Sequence, residues 1–414
     1  MTDSAELPST NVENDHNVYI LGAGFSADRG LPLVRGFLDK LRDSLDVAQS
    51  RERAAIEAVL RFRQEAAGSS DRITFDTENV EDLFSLAVIR KARAIVEAIP
   101  LAIAATIQAA EQQHPHKQVG LRLGDFTRGC ARVIRERCPE YNQHGSAGHR
   151  VPLYALYLAS MCGLLAEKTA TSTNTIVTFN YDLLVEEAAS LLGLHVDYGL
   201  TSPLSYDARS VAWTSSPATR PTGQSLRVLK LHGSLNWVSD PQQRHDSNSV
   251  GVVRDFGAVQ ELGRVPLLIP PVWNKSVSSA LEPVWDKAVS ALESATRVAV
   301  IGHSLAASDG YFKYLLAAGL TRNVSLRHLV FVGYEPERFR FFAGYPGGPS
   351  SEPRQQAPSE FETRVSALVR RSRWTDERVI TELQGTRDFV LSRLNGGAWN
   401  RNWDQRLTRE DLFS

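Results

Sequence analysis

Short apolar runs, each followed by a helical pattern, constrain this chain most. Val18–Leu21, Thr175–Phe179, Leu226–Leu231, Arg297–Ile301 and Leu329–Val332 are runs of four to six residues, rich in aliphatic and β-branched side chains. Runs of that length and composition predict strands. Phe37, Leu38, Leu41 and Leu45 recur at helical spacing, and Trp285–Thr296 and Tyr311–Leu320 read as further helices. Strands alternating with helices predict an α/β fold: a Rossmann-like, mainly parallel sheet with helices on both faces.

The first strand and the second are far apart in sequence. A parallel crossover needs a dozen or so residues, whereas Gly24 and Asn180 are separated by most of the first half of the chain. The pattern from about 36 to 170 is helical, so a large helical insertion is expected there, with Asn79 or Thr77 capping one helix and further helices over about 120–137 and 151–168. The expected organisation is a flexible tail over 1–16, an α/β domain over 17–340, and a loop with a helical extension over 341–414. Residues 200–224 and 239–264 read as irregular. Two helices are expected over about 361–373 and 375–394.

Composition excludes several classes. A net charge of -1 leaves no basic excess to make nucleic acid the main ligand. Residues 1–16 lack the basic and apolar regions of a signal peptide. The apolar stretch Ile99–Ala110 is too short to span a bilayer and reads as a buried helix. The three cysteines, Cys130, Cys138 and Cys162, have no metal-ligand spacing, and an odd count fits a reducing cytoplasm.

Polar motifs stand at the ends of the apolar runs. Gly22-Ala23-Gly24-Phe25-Ser26 follows the first, Asn180-Tyr181-Asp182 the second, His232-Gly233-Ser234 the third and Gly302-His303-Ser304 the fourth. In open α/β sheets the ligand crevice lies outside the carboxyl ends of the strands, so these motifs predict one crevice. The first is a glycine turn into a helix. Its backbone N–H groups, from Gly22 to Ser26, are expected to cradle a phosphate, although Ala27 stands where the dinucleotide fingerprint has its third glycine.

These motifs, in this order, resemble the sirtuin family in its bacterial NAD-consuming branch. Gly22–Ser26 with Gly30-Leu31-Pro32 and Arg35 looks like the sirtuin phosphate and nicotinamide-pocket loop. Asn180 and Asp182 resemble the residues that hold the nicotinamide ribose and carboxamide, His232 the catalytic histidine, and Gly302 with Ser304 the later turn that binds NAD. Glu335 follows the last run, where an acid suits adenine-ribose hydroxyls. Sirtuin deacylases carry a zinc module between the histidine and the later turn. Here all three cysteines precede Asn180 and Val34 replaces the loop aromatic, so the resemblance implies no zinc and weakens a deacylase reading. It points to the sirtuin-like NADases of anti-phage defence.

The implied activity is hydrolysis of the nicotinamide–ribose bond of NAD+, with NAD as substrate. Asn180 would orient ribose or water, and His232 would act as general base. Asp182 would accept from the carboxamide. The resemblance further implies a cytoplasmic effector gated by an activating partner, such as a HerA-type DNA-translocating ATPase, and a homo-oligomer. The alternatives are a deacylase or ADP-ribosyltransferase, and a non-catalytic module sensing NAD or ADP-ribose.

Overall fold

β1 (His16–Leu21) leads into two 3-10 turns, Ala23–Phe25 and Ala27–Arg29. The helices α1 (Phe37–Asp43), α2 (Ser50–Ser70), α3 (Val80–Ile89) and α4 (Arg93–Gln113) follow. β2 (Gly120–Arg122) pairs antiparallel with β3 (Arg150–Pro152), which enters α5 (Leu153–Met161). Next come β4 (Thr173–Thr178), α6 (Leu184–Leu191), β5 (His195–Asp197), β6 (Leu204–Asp207), β7 (Ala212–Ser215) and β8 (Ser225–Lys230). β9 (Trp237–Ser239), β10 (Val250–Val252), α7 (Phe256–Glu261) and α8 (Glu282–Ser294) precede β11 (Arg297–Ile301). The last elements are α9 (Gly310–Thr321), β12 (His328–Val332), α10 (Glu360–Leu368) and β13 (Val379–Glu382). The computed structural model describes residues 16–70, 73, 75–113, 120–122, 150–164, 173–215, 225–239, 241–242, 249–272, 279–305, 310–333, 359–369 and 379–382.

The main sheet has seven strands in the order β13-β12-β11-β1-β4-β8-β5. Every pairing in it is parallel. The parallel α/β fold expected from the sequence is therefore the fold observed. Burial alternates along β1: Tyr19 and Leu21 join one apolar cluster, Val18 and Ile20 the other. β11 divides in the same way, with Ala299 and Ile301 against Val298 and Val300. A strand buried on both faces needs apolar residues at every position, which is why these runs are continuous rather than alternating.

β1 is the middle strand. The chain leaves it to build β4 on one side and returns later to build β11 on the other. That makes the carboxyl ends of β1 and β11 a topological switch point, the position at which open α/β sheets bind their ligands.

The helices before β4 form the expected helical region. α4 packs on α2 and α3. It is long and apolar enough to cross a membrane, yet Ile99 and most residues from Leu101 to Ala110 are buried in the protein core. The Asn79 side chain caps α3, accepting from the N–H of Glu81 at 2.9 Å.

Several local expectations are corrected. Residues 120–122 form a strand where a helix is predicted. Residues 200–224 contain the β6–β7 hairpin, and 239–264 contain β10 and α7, all in or around a second sheet ordered β7-β6-β10-β9. Val379–Glu382 lies inside a predicted helix but forms β13, parallel to β12. Val379, Ile380 and Thr381 are β-branched, and an open sheet edge supplied the hydrogen-bonding partner that outweighed helical periodicity.

Candidate functional site

The turn after β1 is locked against the turn after β11. Gly22 N–H donates to Ile301 O at 3.0 Å and Gly24 N–H to Gly302 O at 2.8 Å. Within the turn, Phe25 N–H donates to Gly22 O at 2.9 Å and Ser26 N–H to Ala23 O at 3.1 Å. Four of the five N–H groups expected to cradle a phosphate are thus used inside the protein. This corrects the sequence reading. The run closes into a 3-10 turn instead of an open nest, and only Ala23 lacks such a bond among the described residues.

Side chains from α5 grip the same turn. Tyr154 donates to Phe25 O at 3.0 Å and Tyr157 to Asp28 Oδ2 at 2.7 Å. Both rings pack on the Phe25 ring. Buried tyrosine hydroxyls need such partners. Neither tyrosine was singled out from sequence, although two tyrosines three apart in an apolar helix carry that signal.

Ser26 joins the first motif to the second. It is buried, and its hydroxyl donates to Asp182 Oδ2 at 2.7 Å. Asn180 Nδ2 donates to Ser26 Oγ and to Gly22 O, both at 3.0 Å. The reversed amide would set oxygen against the Gly22 carbonyl oxygen, so this network assigns the amide orientation. Both amide hydrogens are spent, and Asn180 Oδ1 is left as the acceptor. The other Asp182 oxygen accepts from Leu184 N–H at 3.2 Å at the start of α6.

His232 follows β8. The next residue, Gly233, has φ +84, and a Cβ there would meet Leu267 O at 1.9 Å. Glycine alone permits this backbone and this approach. The bridge between Gly233 and Leu268 and the bond from Ile269 N–H to His232 O at 2.8 Å tie the turn to the following segment. The His232 ring is buried, edge-on to Phe179 at 5.0 Å between centroids. Phe179 also meets His303 at 5.7 Å, and His303 stacks on Phe312 at 4.1 Å. His303 Nδ1 accepts from Leu305 N–H at 3.0 Å. His303 is therefore a packed turn residue.

Lys230, the last residue of β8, is 1% exposed. Its ammonium donates to the backbone carbonyls of Tyr181 (3.3 Å) and Asp182, and to Glu186 Oε1 at 2.9 Å. In sequence it reads as a strand alternation beside Arg227. Arg227 does face outward and pairs with Asp197 at 2.9 Å, whereas Lys230 turns inward. A lysine two residues before a polar strand-end motif is a weak signal, and only the fold reveals its partners.

Behind Asp182 lies an acidic group. Glu111, near the end of α4, has its carboxyl pushed up to about 8, first by burial and then by the negative charges of Asp182 and Glu187. Glu187 is also raised by burial, while Arg29 beside it lowers it. Burial holds the Arg29 guanidinium below its ordinary value.

The remaining candidates are spread out. Pro32 is half-buried, and Arg35 is exposed. Arg35 lines a cleft of about 490 Å³ with Leu38, Asp39, Arg42, Arg63 and Glu78, which none of the strand-end residues lines. Ser304 is exposed, and its carbonyl accepts from Arg364 of α10 at 2.7 Å. Glu335, Cys130 and Cys138 lie outside the described residues.

Residues 174–345 match the family model of the SIR2-like domain. Asn180, Asp182, His232, Gly302, Ser304 and Glu335 fall within the match. The Gly22–Ser26 turn precedes it in sequence and is brought to it by β1. No curated protein matches the chain. Among solved structures, one of Sir2 enzymes is 16% identical, with a TM-score of 0.32, covering 78% of this chain and 81% of that one. A mutant Sir2 homologue with 2'-O-acetyl ADP ribose is 14% identical, with a TM-score of 0.32, covering 91% and 88%. A Sir2 complex with a p53 peptide and NAD+ is 14% identical, with a TM-score of 0.28, covering 78% and 83%.

Proposed function

We propose that the chain hydrolyses the nicotinamide–ribose bond of NAD+, releasing nicotinamide and ADP-ribose. One observation carries the reading: Ser26 bridges Asn180 and Asp182, so three polar residues from two strand ends form one bonded unit at the switch point of a SIR2-like domain. His232 stands at the end of the strand adjacent to theirs.

In this reading the Asn180 Oδ1 accepts from a ribose hydroxyl or from the attacking water. Asp182, with both oxygens engaged by the protein, acts mainly by orienting Ser26 and through it Asn180. His232 takes a proton as the water oxygen bonds to the ribose C1′. The C1′–N bond breaks with its electron pair moving to the pyridine ring, so nicotinamide leaves neutral without an acid. The transition state is oxocarbenium-like. In the first turn the Ala23 N–H is the donor left for the pyrophosphate. By the same resemblance, the hydrolase serves anti-phage defence as a homo-oligomer, gated by a HerA-type ATPase.

The test is incubation with NAD+ and separation of the products by liquid chromatography and mass spectrometry. Nicotinamide and ADP-ribose from the unaltered chain, but not from His232→Ala, would support hydrolysis. Intact NAD+, with the chain alone and with such an ATPase added, would overturn it.

A further inference from the structure

We infer that Lys230 is a positioning residue that clamps the Asn180–Asp182 turn to the His232–Ser234 turn. The inference rests on the hydrolase reading for its consequence on turnover, but its structural basis is a separate polar chain. Ser234 Oγ donates to Asn236 Oδ1 at 2.7 Å, and Asn236 Nδ2 donates to Tyr198 Oη at 3.3 Å. Tyr198 donates in turn to Glu186 Oε1 at 3.3 Å. Lys230 donates to that same oxygen at 2.9 Å from the other side. Every hydrogen in the chain therefore points toward Glu186, and the lysine supplies the charge that balances it.

The other two Lys230 bonds reach the turn itself. The Tyr181 carbonyl accepts from Lys230 and from Leu235 N–H at 3.1 Å. One peptide oxygen thus ties the Asn180 turn to both the end of β8 and the residue after Ser234. The Asp182 carbonyl is held by the same ammonium. With these two carbonyls fixed, the Tyr181–Asp182 and Asp182–Leu183 peptide planes are fixed too, which holds the Asp182 side chain toward Ser26 and, through Ser26 Oγ, the Asn180 amide. Nothing in this arrangement brings Lys230 to the substrate. It acts through the turn.

Removing Lys230 alone would strand Glu186 as a buried anion and destabilise the whole domain. The informative variant is Lys230→Met with Glu186→Gln, which removes both charges and leaves Tyr198 an acceptor. Melting temperature, amide hydrogen exchange of peptides covering 179–186 and 231–236, and nicotinamide release are measured together. The expected result is a folded protein with a near-normal melting temperature, at least tenfold faster exchange in those two peptides only, and kcat lowered tenfold or more with a smaller change in KM. Unchanged exchange in both peptides would overturn the clamp. Faster exchange with unchanged kcat would overturn the positioning role. Faster exchange in the variant, when the unaltered chain leaves NAD+ intact, would support the clamp and count against the hydrolase reading alone.

Discussion

Gly24 and Gly302 occupy the space of each other's missing side chains. The Gly24 N–H donates to Gly302 O at 2.8 Å. A Cβ on Gly24 would stand 2.8 Å from that oxygen, and one on Gly302 would stand 2.1 Å from Phe25 N. Gly302 also has φ +68, a left-handed conformation that favours glycine. Two turns from strands separated by most of the sequence interlock at the backbone level, and neither can carry a side chain.

Gly302→Ala is therefore expected to destabilise the chain by roughly 3 kcal/mol, from a backbone clash together with an unfavourable φ. Urea unfolding would measure this. A variant as stable as the parent would show that the two turns are not in contact.

His232→Ala is expected to lower nicotinamide release by about 10²–10⁴-fold, the usual worth of a general base. Because the buried ring packs on Phe179, the melting temperature should also fall by a few degrees, so release is measured well below it. Full activity in this variant would remove His232 from the chemistry. Asn180→Ala should lose a comparable factor, since it deletes the acceptor that the Gly22 and Ser26 bonds orient.

Ser26→Ala separates bridging from catalysis. It leaves one Asp182 oxygen without its buried donor and should destabilise by about 1–2 kcal/mol. In the proposed reading it also loosens Asn180, so kcat should fall about tenfold while His232 is untouched. Chemical denaturation and steady-state kinetics on one preparation would test both effects.

The acidic group behind Asp182 predicts a pH dependence of stability. The Glu111 carboxyl titrates near its ordinary value of 4.5 when unfolded and at about 8 when folded. Between those values the folded chain binds more protons at this site, so the contribution of Glu111 to stability is greatest below 4.5, falls as pH rises to 8, and is then level. Glu111→Gln should flatten that slope and raise the melting temperature at pH 8 by a few degrees. An unchanged slope in thermal melts from pH 5 to 9 would show that the carboxyl is not buried beside Asp182.

Much of this molecule was legible in its amino-acid order. The strands β1, β11 and β12 are local facts, because a core strand covered on both faces must be continuously apolar, and β4 and β8 are legible from the buried halves that precede their polar motifs. The polar motifs at their ends could be placed in one crevice because parallel strands put all their carboxyl ends on one side. What the order of residues could not determine was how polar groups would be spent. The N–H groups of Gly22–Ser26 look available in sequence, yet four are consumed by backbone contacts. Lys230 looks like a surface alternation, yet it is buried among carbonyls that come from another strand's turn. β13 looks helical, yet it completes a sheet edge. Phe25 and Ser26 bond within the turn, but for Gly22, Gly24, Lys230 and β13 the deciding partner lies far away along the chain, and hydrogen-bond satisfaction in a buried site depends on which distant groups arrive there. Periodicity determined the five apolar strands of the main sheet. Only the tertiary structure decided which donors, acceptors and charges remain to act.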